Sequence, residues 1–133
     1  MYERMLIATD GSDFSDAALK EGFELAHKLG SEVTVVYVVD ALLQGSARDD
    51  LSQFGQEALD KAKTFASDIG IDIKTEVLSG KVGNTIVDAS EDYDVVVLAD
   101  RGRGQLRKLL LGSVSQTVLQ QAQCSVILSK QKA

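Results

Sequence analysis

"DVVVLADRGRGQLRKLLLGSVSQTVL", residues 94–119, is the stretch that decides the fold. Its opening, "DVVVLAD", is short, apolar and β-branched, which marks a buried strand and not a helix. Glycine and charge then interrupt the run. "SVSQTVLQQA" (113–122) takes up helical character behind Gly112, and "CSVILS" (124–129) is a second apolar strand. A buried strand, a long connection, a helix and another buried strand form a unit of parallel sheet, because parallel neighbours need a crossover.

Working upstream, the same alternation repeats. "MLIAT" (5–9) is a first strand, broken by "DGS". A helix follows, with Phe14, Ala17, Ala18, Gly22, Leu25, Ala26 and Leu29 at helical spacing, Ser12 at its N-cap and Gly30 as its stop. "EVTVVYVVD" (32–40) is a second strand. "ALLQGSARDD" (41–50) is expected to be a polar, mobile loop, before Leu51, Phe54, Ala58, Ala62, Phe65, Ala66 and Ile69 mark a second helix. "IDIKTEVL" (71–78) alternates as a third strand, and "NTIVDASEDY" (84–93) is a short helix before the fourth.

Five strands separated by helices predict one α/β domain over residues 1–133, a doubly wound five-stranded parallel sheet covered on both faces. Two orders fit, 2-1-3-4-5 and 3-2-1-4-5, and the second is preferred. Ligands of such sheets gather beyond the carboxyl ends of the strands, where the winding reverses. In the order 3-2-1-4-5 that point lies between "ATDGS" and "ADRGRG".

The composition narrows the function classes. The net charge is −6, against non-specific nucleic-acid binding, which needs a basic face. No apolar run is long enough to span a membrane, and no secretory signal is expected from "MYERMLIATDGS". The single cysteine, Cys124, fits a reducing, cytoplasmic setting and reads as packing. Asp13, Asp16, Glu21 and Glu24 read as the solvated face of the first helix, and His27 has no nucleophile spaced to make a triad.

Against that acidic background Arg101, Arg103, Arg107 and Lys108 cluster in one glycine-punctuated loop. Gly102 and Gly104 let backbone approach a ligand closely. Gly112-Ser113-Val114-Ser115 opens a helix whose free N–H groups and positive dipole end favour an anion. Together these features fit a phosphate cradle. They equally fit a surface turn followed by an N-cap serine, since neither G-x-x-x-x-G-K-[ST] nor a G-x-G-x-x-G after the first strand is present. Asp10 is a candidate to hold Mg²⁺ through water, whereas Asp100 reads as turn chemistry at a strand exit.

Over nearly its whole length the chain resembles the universal stress protein family. The likeness is carried by "MLIATDGSDFSDAALKEGFELA", "VTVVYVVD", "DYDVVVLADRGRG" and "RKLLLGSVSQTVLQQAQCSVIL". The family's nucleotide motif, G-x2-G-x9-G-[ST], falls on Ala99, Gly102, Gly112 and Ser113, so its first glycine is an alanine here. Ser125 and Val82 stand where the family often has proline, and the chain has none.

The resemblance implies ATP, or AMP or ADP, bound in the strand-end crevice. It implies contacts from Ala8, Thr9 and Asp10, from Val38 against the adenine, from Leu98, Ala99 and Gly102, and to the phosphates from Gly112, Ser113, Val114 and Ser115. Arg103 joins them as a cation drawing phosphate. Ala99 is tolerable if the backbone there is extended, and harmful if it needs positive φ or if the ribose or a phosphate packs against its Cα. The last strand, Cys124 to Leu128, is an unprotected apolar edge, and the family pairs it in a homodimer. A nucleotide-binding stress or signalling switch is the favoured function. A nucleotide-free interaction module of the same fold is the alternative. A nucleotidyl-transfer enzyme trails, because H-x-G-H and S-G-G-x-D-S are both absent, and without a dedicated general base ATP hydrolysis is slow at most.

Overall fold

The computed structural model describes residues 1–101 and 112–130. Strands and helices alternate as β1 (Arg4–Ala8), α1 (Asp13–Leu29), β2 (Glu32–Asp40), α2 (Gly45–Ile69), β3 (Ile73–Gly80), α3 (Val82–Ser90), β4 (Val95–Ala99), α4 (Ser113–Gln121) and β5 (Ser125–Ser129). The sheet is parallel, in the order β3-β2-β1-β4-β5. The order 2-1-3-4-5 is thereby ruled out. In register, Ile7 of β1 faces Val35 of β2 on one side and Val97 of β4 on the other.

Burial follows that order. Every residue of β4 is buried, as its unbroken apolar sequence requires of an interior strand. β3, at one edge, alternates between half-buried and exposed positions along most of its length. Side chains on successive residues point to opposite faces, so the sheet carries two cores. Met5, Ile7, Val33, Val35, Val95 and Val97 pack with Leu19 and Phe23 of α1 and Leu59 of α2. Leu6, Val36, Val96 and Leu98 pack on the other face with Ile86 and Val87 of α3 and Val118 of α4.

The helix boundaries follow from local chemistry. Ser12 caps α1, its hydroxyl accepting from the Ser15 N–H at 3.2 Å, and Gly30 ends the helix at φ 72°. Gly70 closes α2 in the same left-handed way, at φ 92°.

The connection after β2 differs from the expectation. The loop predicted over 41–50 is confined to 41–44, and α2 starts at Gly45. Asp40 turns the chain there, its carboxylate accepting from the Leu42 N–H at 2.9 Å. The first turns of α2 are mostly exposed, running beyond the core. Apolar spacing marks a helix only where it packs, so it begins at Leu51 and misses the turns before it.

Candidate functional site

A cavity of about 150 Å³ lies where the winding reverses, beyond the ends of β1 and β4. Its floor is Ala8 and Leu98, which share the sheet face that meets α3 and α4. Val82 and Ile86, one turn apart on α3, form an apolar wall with Val114. The polar side is built by Thr9 and Asp10 of the β1–α1 turn with Ser15 in the first turn of α1, and by the start of α4.

The β1–α1 turn is held by its own side chains. Asp10 Oδ1 accepts from the Ser12 N–H at 3.0 Å and from the Ser15 hydroxyl at 2.7 Å. Ser15 Oγ in turn accepts from the Asp10 N–H at 3.1 Å, and Thr9 Oγ1 accepts from the Gly11 N–H at 3.1 Å. This knot fixes Asp10 at the cavity rim and pre-forms the first turn of α1. It also commits Oδ1 to two donors. Among the described residues no group of three histidine, cysteine or acidic side chains could hold a metal ion directly.

The opposite rim is the N-terminus of α4. Gly112 is its N-cap, in extended conformation (φ −65°, ψ 155°), and no side chain caps the helix. The first turn of an uncapped helix presents N–H groups and the positive end of the dipole. Here that turn is Ser113-Val114-Ser115, and all three residues line the cavity. The Gly112 N–H donates to the Asp100 carbonyl at 2.9 Å, which holds the helix start against the end of β4. Ser113 is exposed. Ser115 is buried, and its hydroxyl donates inward to the Ala99 carbonyl at 2.7 Å. Ser113 is thus the hydroxyl available at the rim, and Ser115 a brace beneath it.

Ala99, the departure from the glycine motif, is the last residue of β4 and pairs with Ser129 of β5. Its backbone is not in the positive-φ region. A glycine is not needed there for conformation, and the alanine methyl is accommodated in the wall.

A cation enters the site from a residue the sequence reading named only as part of the basic cluster. Arg101 lines the cavity with its side chain 10% exposed, its Nε 3.6 Å from Asp100 Oδ1 and its Cζ 5.0 Å from the Phe14 ring centroid. Gly102 and Arg103, expected in the site, lie outside the described residues, as do Arg107 and Lys108. Val38 is not among the lining residues. It is half-buried on β2, on the same sheet face as Ala8 but one strand farther from β4. The nine expected positions Ala8, Thr9, Asp10, Leu98, Ala99, Gly112, Ser113, Val114 and Ser115 all meet at the cavity.

The residues that sequence reading missed are Ser15, Val82 and Ile86, with Arg101 in the role just described. Ser15 had a signal, since it stands three residues after the N-cap serine and follows Asp10 across one tight turn. Val82 and Ile86 had only their spacing at the start of a helix, which serves core packing as well as a ligand wall.

The sequence profile of the universal stress protein family matches residues 1–130. The chain belongs to that family. Universal stress protein MJ0531 of Methanocaldococcus jannaschii is 37% identical, over 98% of this chain and 83% of its own length. Among solved structures, the universal stress protein UspA from Lactobacillus plantarum superposes with a TM-score of 0.87 at 25% identity, covering 96% of this chain and 97% of its own. A universal stress protein from Archaeoglobus fulgidus, solved in complex with dAMP, matches with a TM-score of 0.76 at 25% identity, over 96% of this chain and 97% of its own. Membership in the family accounts for the strand order. Among the described residues no helix is long and apolar enough to cross a membrane.

Proposed function

We propose that this universal stress protein binds an adenine nucleotide, ATP or else AMP or ADP, in the cavity between β1 and β4, and that occupancy switches its conformation or its choice of partner. The observation that carries the reading is the uncapped start of α4, Gly112 to Ser115, facing the Thr9–Asp10 turn across one cavity. Phosphate lies against the Ser113, Val114 and Ser115 N–H groups, with the Ser113 hydroxyl as an added donor and Arg101 nearby. The base rests on Ala8 and Leu98, against Val82 and Ile86, and reaches toward Val38. The complex of the Archaeoglobus fulgidus relative with dAMP supports an adenine nucleotide of this kind. Any Mg²⁺ arrives with the triphosphate and meets Asp10 through water.

The nucleotide-free alternative drew on Ala99, and the backbone at that residue, outside the positive-φ region, speaks against one of its two arguments. Asp10, the acid among the lining residues, accepts hydrogen bonds within the turn, so rapid ATP hydrolysis is not expected. The protein acts in this reading as a homodimer joined along β5, with Val126 and Leu128, or Cys124 and Ile127, near the axis. β5 is a sheet edge, and its central residues are half-buried.

Mass spectrometry of ligand released from the purified, denatured protein tests the reading, together with ATP-induced thermal shift. Recovery of AMP or ATP supports it. Repeated absence of nucleotide with no thermal shift overturns it in favour of an interaction module.

A further inference from the structure

The β1–α1 turn that borders the cavity is buttressed from behind by α2. Gly11 stands at φ 81°, and a Cβ built on it would lie 2.5 Å from the Phe54 ring and 3.5 Å from the Ala58 methyl. Phe54, Ala58 and Lys61 fall at i, i+4 and i+7, so they share one face of α2. Lys61 completes that face. Its Nζ is 2.9 Å from Asp16 Oδ2 on α1 and donates at 3.3 Å to the Gly11 carbonyl. The ammonium thus grips the turn at one end and the helix that follows it at the other, and it does so without lining the cavity.

We propose that Lys61 is a positioning residue for the nucleotide site. It holds the Gly11 peptide so that Thr9 and Asp10 keep their places on the rim, and it makes α2 a mechanical partner of the binding turn. This inference rests on the reading of the cavity as a nucleotide site. The turn's own hydrogen bonds engage the N–H groups of Gly11 and Ser12 through Thr9 and Asp10, and Lys61 adds, from outside the turn, the bond to the Gly11 carbonyl. Asp16 has the second part in the pair, setting the ammonium where the carbonyl can accept from it.

The two roles of Lys61, holding the turn and neutralising Asp16, separate in a set of variants. AMP is titrated calorimetrically into the parent, Lys61→Met, Asp16→Asn, the double variant Lys61→Met/Asp16→Asn, and Lys61→Arg. The titrations are made at about 1 M salt, where the screening length of about 3 Å removes any long-range pull of Lys61 on phosphate. Thermal stability and amide exchange at Gly11 and Ser12 are measured on the same proteins. Lys61→Met is expected to weaken AMP binding about tenfold, equivalent to about 1.4 kcal/mol. Asp16→Asn should lose stability yet bind within about twofold of the parent. The double variant, free of an unpaired half-buried carboxylate, should recover stability while keeping the tenfold loss and fast exchange at Gly11, and Lys61→Arg should restore binding. Affinity that simply tracks melting temperature across the set, or a double variant that binds like the parent, would overturn the proposal. A parent that binds no AMP or ATP overturns the reading of the cavity, and Lys61 with it as a nucleotide-positioning residue. Exchange at Gly11 in the free protein then shows separately whether Lys61 grips the turn.

Discussion

The Ser115 hydroxyl donates to the Ala99 carbonyl at 2.7 Å, joining the first turn of α4 to the last residue of β4. The two residues were expected at the site for one reason, contact with nucleotide, yet they contact each other. The bond fixes the helix start relative to the sheet, so the N–H groups of that turn are aimed before any ligand arrives. Replacing Ser115 with Ala should therefore act on stability first. A buried carbonyl left without its donor costs about 1–3 kcal/mol, which urea unfolding would read directly. Its loss in nucleotide affinity should be smaller than that of Ser113→Ala.

Ser113→Ala removes an exposed hydroxyl from the rim. If that hydroxyl donates to a charged phosphate, its loss is worth roughly 1.5–3 kcal/mol, on the order of ten- to a hundredfold in affinity. Calorimetric titration of ATP with Mg²⁺ measures it, and unchanged affinity would move the phosphates off this helix.

Gly112→Val tests the same rim by bulk. The Gly112 backbone is extended, at φ −65°, a conformation valine accepts, so the sheet should stay folded. A branched side chain in the cavity wall should abolish ATP binding. A Gly112→Val protein with parental far-UV circular dichroism and parental affinity would place the nucleotide elsewhere.

Ala99→Gly restores the family's motif glycine. Because Ala99 lies in a regular strand, the change should cost about 0.5–1 kcal/mol of stability, and it should leave ATP affinity within about twofold. Tenfold tighter binding would mean that the methyl obstructs the ligand.

Val126→Lys addresses the β5 edge. A charge placed there should convert a dimer to monomers in sedimentation velocity at micromolar concentration. A parent already monomeric under those conditions removes the dimer from the proposed function.

What could be read from the letters follows the physics of burial. Strand order, both faces of the sheet and the meeting of "ATDGS" with the end of β4 were legible because buried strands write themselves as valine and isoleucine. The start of α2 was not, since Gly45 to Asp50 mostly face water and carry no apolar period. Ser115 was legible as a site residue but not as a brace, because a serine after a helix-opening glycine looks the same whichever way its hydroxyl turns. Lys61 could not be found at all. Its two partners, Gly11 and Asp16, are remote in sequence and meet it only after α1 and α2 have packed.

The hydrogen bond from the Gly112 N–H to the Asp100 carbonyl has a consequence for how such a protein can diversify. It brings the two ends of the β4–α4 connection together at one point, like a drawstring, before the cavity is completed. A segment of different length or charge could be spliced in between those ends at a closure cost rising only about 0.6 kcal/mol for each doubling of its length. The sheet beneath would be undisturbed. One scaffold could in this way take up a new segment at this junction without altering the strand order beneath it.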